Sequence, residues 1–238
     1  MFNIQELREK LVVSCQPEAK ESFYDTAFVS GMAQAAILGG AGALRLNHPD
    51  TLRALKQVNG LKNIPMIGIW KKEYAGSDVY ITPTRTDARA IYEAGAEILA
   101  IDATDRQRPA ETLSEIVNDL KGKVCLMADI STLEEGINAA RLGFDCIGTT
   151  LSGYTEQSRT PKKTGTAHSG PDFDLLKALV ERVEVPVIAE GRISTPGEAA
   201  EALRLGAHAV VVGSAITRPQ VITRSFLARM HPRRSIVQ

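Results

Sequence analysis

Short apolar segments alternate with amphipathic stretches along the chain, a pattern that predicts parallel strands joined by helices. The chain has 238 residues, which fits eight βα units of roughly thirty residues each. No linker rich in proline, glycine or serine divides it. These observations predict an α/β fold, a single (β/α)8 TIM barrel that forms one domain over residues 1–238.

The predicted strands are runs of branched and other apolar residues bounded by turn residues. In chain order they cover residues 11–16, 43–47, 65–71, 97–102, 124–130, 146–150, 185–191 and 209–214. The predicted helices carry apolar residues at helical spacing. They cover residues 50–58, 85–94, 111–120, 133–142, 173–183, 196–205 and 220–230.

Residue types at the helix ends agree with these bounds. Thr132 and Thr195 are predicted N-caps. Left-handed glycines are predicted just after helix ends, at Gly95, Gly143 and Gly206. The segments around these glycines share an order of helix end, glycine, linker and strand, which indicates a repeat of about two βα units. Loops between helices and strands also favour glycine without any repeat, and that alternative stays open.

The composition excludes several functional classes. Lys and Arg number 28, as do Asp and Glu, so the chain lacks the broad positive charge of proteins that bind nucleic acid or anionic membranes. The N-terminus does not resemble a secretory signal, and no apolar run approaches the length of about eighteen residues that a membrane span needs. Three cysteines without CxxC spacing fit a reducing compartment. We therefore expect a cytoplasmic protein that binds neither nucleic acid nor membrane.

Metal and nucleotide motifs are also missing from the sequence. The histidines are scattered and form no HExxH motif, so we expect no metal site. Neither GxxxxGK[ST] nor GxGxxG occurs, which argues against the nucleotide-binding loops that those motifs form.

Polar residues end most of the predicted strands, where barrel enzymes place their active sites. Gln16, Lys71, Asp129 and Glu190 close odd-numbered strands, and alternate strands contribute side chains to the same layer of a barrel. Even-numbered strands end in Arg45 and Asn47, and in Asp102. Lys71 and Lys72 compete, because neighbouring strand residues point to opposite faces. The pattern alone does not choose between them.

Glycines lie at the ends of the seventh and eighth predicted strands and suggest an anion site. Gly191 and Gly213 come directly after buried segments, where backbone N–H groups can approach a phosphate closely. Arg218 adds a guanidinium. The alternative is that both glycines only form tight turns. The long loop over residues 152–171 is either a lid over the mouth or an inert insertion.

Several motifs together resemble the N-acetylmannosamine-6-phosphate 2-epimerase family. They are VSCQ at 13–16, IGIWK at 67–71, MADIST at 127–132, GTTLSGYT at 148–155, AEGR at 189–192 and AITRP at 215–219. The resemblance implies a barrel that interconverts N-acetylmannosamine 6-phosphate and N-acetylglucosamine 6-phosphate in sialic acid breakdown. It also implies that no metal or organic cofactor takes part. The segment 159–171 is longer and more basic than expected for the family. The resemblance therefore gives no expectation for the contacts of the lid.

Site residues follow from the resemblance. Lys71 is then the catalytic lysine and Glu190 its acidic partner. Gln16, Arg45 and Asp129 are expected to contact the sugar. The residues expected to form or flank the phosphate site are Gly191, Arg192, Gly213, Ser214 and Arg218.

The chemistry explains why such residue types are needed. Inverting C2 without redox requires a base for the proton next to the C1 carbonyl and a group that stabilises the enolate oxygen. Lys71 can act as the base only when neutral, so burial or a nearby cation must lower its pKa. Arg45 is the expected cation and oxyanion stabiliser. Glu190 is expected to assist ring opening or to orient Lys71.

Two other functions and one structural question stay open. Lys71 could form a Schiff base in a lyase or aldolase on the same scaffold. The chain could instead be a regulator that binds a sugar phosphate without turnover, although Lys71, Asp129 and Glu190 together argue against it. The helix predicted at 220–230 packs either on the barrel or on a second subunit, so a homodimer is one of the two expected arrangements.

Overall fold

The computed structural model describes residues 1–17, 25–158 and 170–231. Within these residues eight parallel strands pair in chain order, and the first pairs with the last to close a barrel. The predicted (β/α)8 barrel is confirmed. The strands are β1 (Leu11–Cys15), β2 (Ala43–Asn47), β3 (Met66–Ile69), β4 (Ile98–Asp102), β5 (Cys125–Asp129), β6 (Cys146–Gly148), β7 (Val187–Glu190) and β8 (Ala209–Val212).

The third strand ends earlier than predicted. β3 stops at Ile69, and the chain then folds back on itself over residues 70–82, called here the β3 hairpin. Lys72 N–H donates to the Tyr80 carbonyl, and Thr82 N–H donates to the Trp70 carbonyl. Lys71 forms an antiparallel bridge with Ile81. The sequence prediction through Lys71 was wrong because these residues pair with the hairpin and not with the neighbouring barrel strands.

Helices surround the barrel at close to the predicted bounds. They are α1 (Thr26–Leu38), α2 (Pro49–Lys56), α3 (Arg85–Glu93), α4 (Leu113–Leu120), α5 (Leu133–Leu142), α6 (Phe173–Arg182), α7 (Pro196–Arg204), α8 (Ser214–Thr217) and α9 (Pro219–Met230), with a short 3₁₀ helix at Ile4–Leu7. In the part of the chain described here, none of these helices is long and apolar enough to cross a membrane.

The sequence pattern predicted no helix where α1 lies. Its sequence, TAFVSGMAQAAIL, is small or apolar on nearly all sides, so no polar face marks the helical period. The Asp25 side chain caps α1 by accepting a hydrogen bond from the Phe28 N–H. The short α8 was also missed, because four residues carry no periodic signal.

The predicted helix ends are confirmed. Thr132 and Thr195 are N-caps, and each forms a reciprocal pair of hydrogen bonds with a glutamate three residues later, Glu135 and Glu198. The glycines predicted to be left-handed have φ values of 92°, 97° and 98° at Gly95, Gly143 and Gly206.

Two apolar clusters show which side chains face the barrel interior and which face the helices. One lies between strands and helices, and the other fills the barrel with residues such as Ala43, Ile67 and Ile69. Gly68 faces the helices, since a Cβ added there would lie 2.6 Å from Cγ2 of Ile91 in α3. Inner and outer positions therefore alternate along the strands, which determines where each strand-end side chain points.

Candidate active site

The alternation along β3 separates the two adjacent lysines. Ile67 and Ile69 lie inside the barrel, and Lys71 continues this inner series at the open end. Lys72 takes the opposite side, where its Nζ lies 3.1 Å from Oδ1 of Asp87 in α3. The structure thus brings Lys71 to the barrel mouth and directs Lys72 to the outer helices. Lys71 itself is exposed.

Lys72 is held firmly on its outer side. Its Nζ lies 4.6 Å from the centre of the Trp70 ring and 5.1 Å from that of Tyr74. Hydrogen bonding to Tyr74 raises the pKa of Lys72 above its ordinary value, and the buried Asp87 carboxylate adds to the increase. Lys72 therefore stays charged at neutral pH, and an ammonium group cannot act as a base.

A buried charge cluster, Arg45 with Asp129 and Glu190, lies across the top of the barrel interior. Nη2 of Arg45 is 2.5 Å from Oδ2 of Asp129, and Nη1 is 3.1 Å from Oδ1 of the same carboxylate. Nη1 also donates to Oε2 of Glu190 at 2.8 Å. The exposed fractions are 1% for Arg45, 0% for Asp129 and 13% for Glu190. Three predicted site residues from β2, β5 and β7 thus meet in one hydrogen-bonded group.

Glu190 has a pKa that is shifted toward neutral pH. Burial raises the pKa of Glu190 to about 7, because the charged carboxylate loses its hydration. Arg45 opposes the rise, Asp129 adds to it, and Lys71 and a hydrogen bond from Thr150 oppose it. A carboxyl group that titrates near neutral pH can both give and accept a proton under working conditions.

Arg45 is more constrained than a free cation beside Lys71 would be. Its guanidinium contacts two carboxylates, so much of its positive charge is already offset. Its Nε is buried without a hydrogen bond among the described residues. The geometry favours a role in holding Asp129 and Glu190 over a role as a free cation beside Lys71.

The predicted phosphate residues lie on the neighbouring strands β7 and β8. Gly191 follows β7 with a φ of 108°, a conformation that residues with a Cβ rarely adopt. Gly213 precedes α8, which begins at Ser214. Nη2 of Arg218 lies 3.4 Å from the backbone carbonyl oxygen of Gln16, just past β1. The structure brings these residues to one side of the mouth, and phosphate binding there stays a prediction.

Arg192 contacts the loop that follows β6. Its Nη1 donates to the Ser152 carbonyl, and its Nε donates to the Gly170 carbonyl at 3.1 Å. Its guanidinium carbon lies 5.7 Å from the centre of the Tyr154 ring. These contacts brace both described ends of the loop. The predicted lid itself falls largely on residues 159–169, which lie outside the described residues.

Sequence reasoning missed several polar groups around the charge cluster. Thr150 donates to Oδ1 of Asp129 at 2.6 Å, and Oγ1 of Thr149 bonds to the backbone of Glu190. Both lie in the GTTLSGYT motif, which could have indicated them. Burial, with Asp102 and Asp129 nearby, raises the pKa of Tyr80 to about 12. Tyr80 comes from the β3 hairpin, which carries no periodic signal in the sequence.

The geometry suits proton transfer at a small polar ligand. It offers an amine at the mouth, a carboxyl group that titrates near neutral pH, and glycine-rich turns on adjacent strands. No group of three or more His, Cys, Asp or Glu side chains that could hold a metal ion occurs in the described ranges.

Comparison with known proteins gives consistent matches over nearly the whole chain. A family model described as N-acetylmannosamine-6-phosphate epimerase matches residues 29–232. A relative from Shouchella clausii, named N-acetylmannosamine-6-phosphate 2-epimerase, is 46% identical over 227 residues, which cover 94% of this chain and 96% of the relative. A relative of the same name from Caldanaerobacter subterraneus is 48% identical over 235 residues, which cover 97% of this chain and 95% of the relative.

Solved structures agree with these matches. The N-acetylmannosamine-6-phosphate 2-epimerase from Clostridium perfringens is 43% identical, with a TM-score of 0.88 and coverage of 95% of each chain. A thiamine phosphate pyrophosphorylase from Pyrococcus furiosus is similar with a TM-score of 0.60 at 19% identity, over 95% of this chain and 96% of the other. At that identity it shares only the fold.

Proposed function

This chain belongs to the N-acetylmannosamine-6-phosphate epimerase family, and we propose that its barrel mouth interconverts N-acetylmannosamine 6-phosphate and N-acetylglucosamine 6-phosphate through Lys71 and Glu190. Membership of the family makes the chain an isomerase of amino sugar metabolism. The proposed mechanism is supported by the Glu190 carboxyl group, which accepts a hydrogen bond of 2.8 Å from Arg45 and whose pKa is raised by burial to about 7.

The reaction begins by opening the sugar ring, which exposes an aldehyde at C1. Opening removes a proton from the C1 hydroxyl and delivers one to the ring oxygen. Glu190 suits this step because its pKa of about 7 lets both protonation states occur at neutral pH. Arg45, which also binds Asp129, donates a hydrogen bond to Glu190 and orients its carboxyl group for this step.

Lys71 then removes the proton from C2. The electron pair of the C2–H bond forms a C1–C2 double bond, and the π electrons of the carbonyl move onto the C1 oxygen. The Lys71 ammonium then returns a proton to the opposite face of C2 once the enolate has turned, the C1 carbonyl forms again, and the epimer results. Lys71 is exposed in this structure, and the bound sugar would displace water from it. Loss of hydration lowers the pKa of an amine. We therefore propose that binding of the sugar, and not the charge of Arg45, brings Lys71 into its neutral form.

The phosphate of the substrate would anchor the far end of the sugar. Backbone N–H groups at Gly191, Gly213 and Ser214, with the guanidinium of Arg218, suit such an anion. Gln16 and Asp129 are proposed to contact the sugar, and Arg192 would hold the adjoining loop. A phosphate bound away from the reacting carbon keeps C2 positioned next to the base.

Proton NMR of N-acetylmannosamine 6-phosphate with the purified protein in D₂O tests this function. We expect formation of the gluco epimer together with deuterium at C2, because the proton passes through an amine that exchanges with solvent. Epimerisation without exchange at C2 would contradict free access of solvent to the transferred proton, and absence of the gluco epimer would contradict the function.

We also propose a homodimer and a cytoplasmic location. Three apolar side chains of α9 are exposed, with exposed fractions of 66% for Phe226, 41% for Leu227 and 66% for Met230. A cluster of this kind is typical of a surface that a partner covers. Light scattering should give twice the chain mass, and Phe226→Glu should shift it to the monomer. The cysteines, Cys15, Cys125 and Cys146, are unpaired and buried, which supports a reducing compartment.

A further inference from the structure

A side-chain amide next to Lys71 has no part in the function proposed above. Asn47 is the last residue of β2 and follows Ala43 and Arg45 on the inner side of the barrel. Its Oδ1 accepts a hydrogen bond of 2.8 Å from the backbone N–H of Lys71. The Asn47 amide is therefore hydrogen-bonded to the backbone of Lys71, the residue that we assign as the base.

The local backbone explains why a side chain accepts this hydrogen bond. His48 has a φ of 83°, which turns the chain out of the strand, and Pro49 begins α2. The His48 N–H still donates to the Ile69 carbonyl. Past this point the β2 backbone no longer continues the parallel ladder. The Asn47 side chain supplies the acceptor for the Lys71 N–H instead.

This hydrogen bond fixes the orientation of the amide. The Lys71 N–H is a donor, so only the amide oxygen can face it. The amino group, Nδ2, must then lie on the other edge. Within residues 1–17, 25–158 and 170–231, Nδ2 of Asn47 donates no hydrogen bond, and the residue is only partly buried. An oriented donor with spare capacity thus lies beside Lys71 at the open end of the barrel.

The reaction needs such a donor. Negative charge develops on the C1 oxygen as the C2 proton leaves, and a donor held in place before the reaction stabilises that charge. Arg45 was the candidate from the sequence, but it already binds Asp129 and Glu190. Resting on the proposed function, we propose that Nδ2 of Asn47 donates a hydrogen bond to the C1 oxygen of the opened sugar while Lys71 holds the C2 proton.

Three substitutions separate this role from a structural one. Asn47→Asp keeps an oxygen for the Lys71 N–H and removes the donor. Asn47→Leu removes both. Asn138→Asp makes the same change from asparagine to aspartate on the exposed outer side of α5 and serves as the control. Each variant is assayed for kcat and KM with N-acetylmannosamine 6-phosphate across pH, because a carboxylate beside Lys71 also raises the pKa of the amine, and each is melted to obtain Tm.

We expect Asn47→Asp to lower kcat by about a hundredfold at its optimal pH, the typical effect of losing one oxyanion donor. We expect its KM to change by less than about threefold, since a donor specific to the transition state acts on kcat. Its Tm should match the parent, whereas Asn47→Leu should lose both kcat and Tm. Asn138→Asp should match the parent in all three measurements.

Two results would overturn the role of Asn47 alone. One is a kcat for Asn47→Asp within about threefold of the parent at its own optimal pH. The other is a higher KM with kcat retained, which would assign Asn47 to ground-state binding. If the unmodified chain fails to epimerise the sugar phosphate, the proposed function fails, and this role fails with it.

Discussion

The buried charge cluster and the β3 hairpin that carries Lys71 are built in opposite ways. Arg45, Asp129 and Glu190 lie inside the barrel, and hydrogen bonds of 2.5–3.1 Å join them. Lys71 lies past the end of β3 and is exposed, although its backbone is held by Asn47 and by the bridge to Ile81. The charge cluster is buried and hydrogen-bonded before substrate arrives, whereas Lys71 is exposed to solvent.

This difference follows from what each group must do. A carboxyl group reaches a pKa near 7 by burial, which the protein core provides at all times. An amine needs to lose water to become a base, but it must also stay accessible to the sugar. The open position of Lys71 keeps the amine accessible to the sugar, and binding of the sugar would remove the water from it.

Replacing each of the adjacent lysines by methionine should have very different effects on turnover. Lys71→Met should lower kcat by about a thousandfold or more, because the base is lost. Lys72→Met should lower kcat by less than about tenfold, because Lys72 contacts Asp87 and the rings of Trp70 and Tyr74 on the outer side. Steady-state kinetics of both variants measure the contrast. A Lys71→Met variant with near-parent kcat and only weaker substrate affinity would refute the base assignment.

Removing Arg45 should destabilise the fold strongly. Arg45→Met leaves Asp129 and Glu190 buried without their counter-charge, and loss of one partner from a buried ion pair costs about 3–5 kcal/mol. The penalty should be smaller at pH 5, where Glu190 is protonated. Arg53→Met, which breaks a pair with Asp50 on the surface, should cost less than about 1 kcal/mol. Urea unfolding at pH 5 and pH 8 gives both values, and equal penalties for the two variants would contradict the inner location of the charge.

The pKa of Glu190 should make stability depend on pH. Folding raises this pKa from 4.5 to about 7, so the folded state binds the proton more tightly. The associated stability is fully present below pH 4.5 and is lost as pH rises through about 7, with a total of about 3 kcal/mol. Glu190→Gln should remove this dependence, so its free energy of unfolding relative to the parent should increase from pH 5 to pH 8. Parallel curves for the two proteins would show that Glu190 is not shifted.

The barrel could be predicted from sequence because its signals are local. Apolar runs mark the strands, and threonine caps such as Thr132 and left-handed glycines such as Gly143 mark the helix ends. The site was only partly predictable. Residues at strand ends indicated Arg45, Asp129 and Glu190 as candidates, but Arg45 lies 84 positions from Asp129 and 145 from Glu190. No local pattern reports that their side chains meet.

The choice between the two lysines could not be predicted because the sequence does not show which residues of β3 face inward. The choice between Lys71 and Lys72 depends on which β3 residues face inward, and an all-apolar strand hides that alternation. The structure resolves it through Gly68, which packs against α3. The hydrogen bond from Lys71 to Asn47 depends on the left-handed backbone at His48, which is uncommon for a residue other than glycine. Neither feature has a signal in one sequence.

The phosphate side should give the smallest effect, and it distinguishes two arginines. Arg218→Met should raise KM about tenfold with little change in kcat, because a contact present in both ground and transition states contributes uniform binding, about 1.4 kcal/mol for this change. Arg192→Met should raise KM less, because the Arg192 guanidinium donates to the Ser152 and Gly170 carbonyls. Competition by inorganic phosphate, measured for both variants, reports on the anion contact alone. Weaker phosphate inhibition in Arg192→Met than in Arg218→Met would place the anion nearer to Arg192 and leave Arg218 as the residue that braces the end of β1.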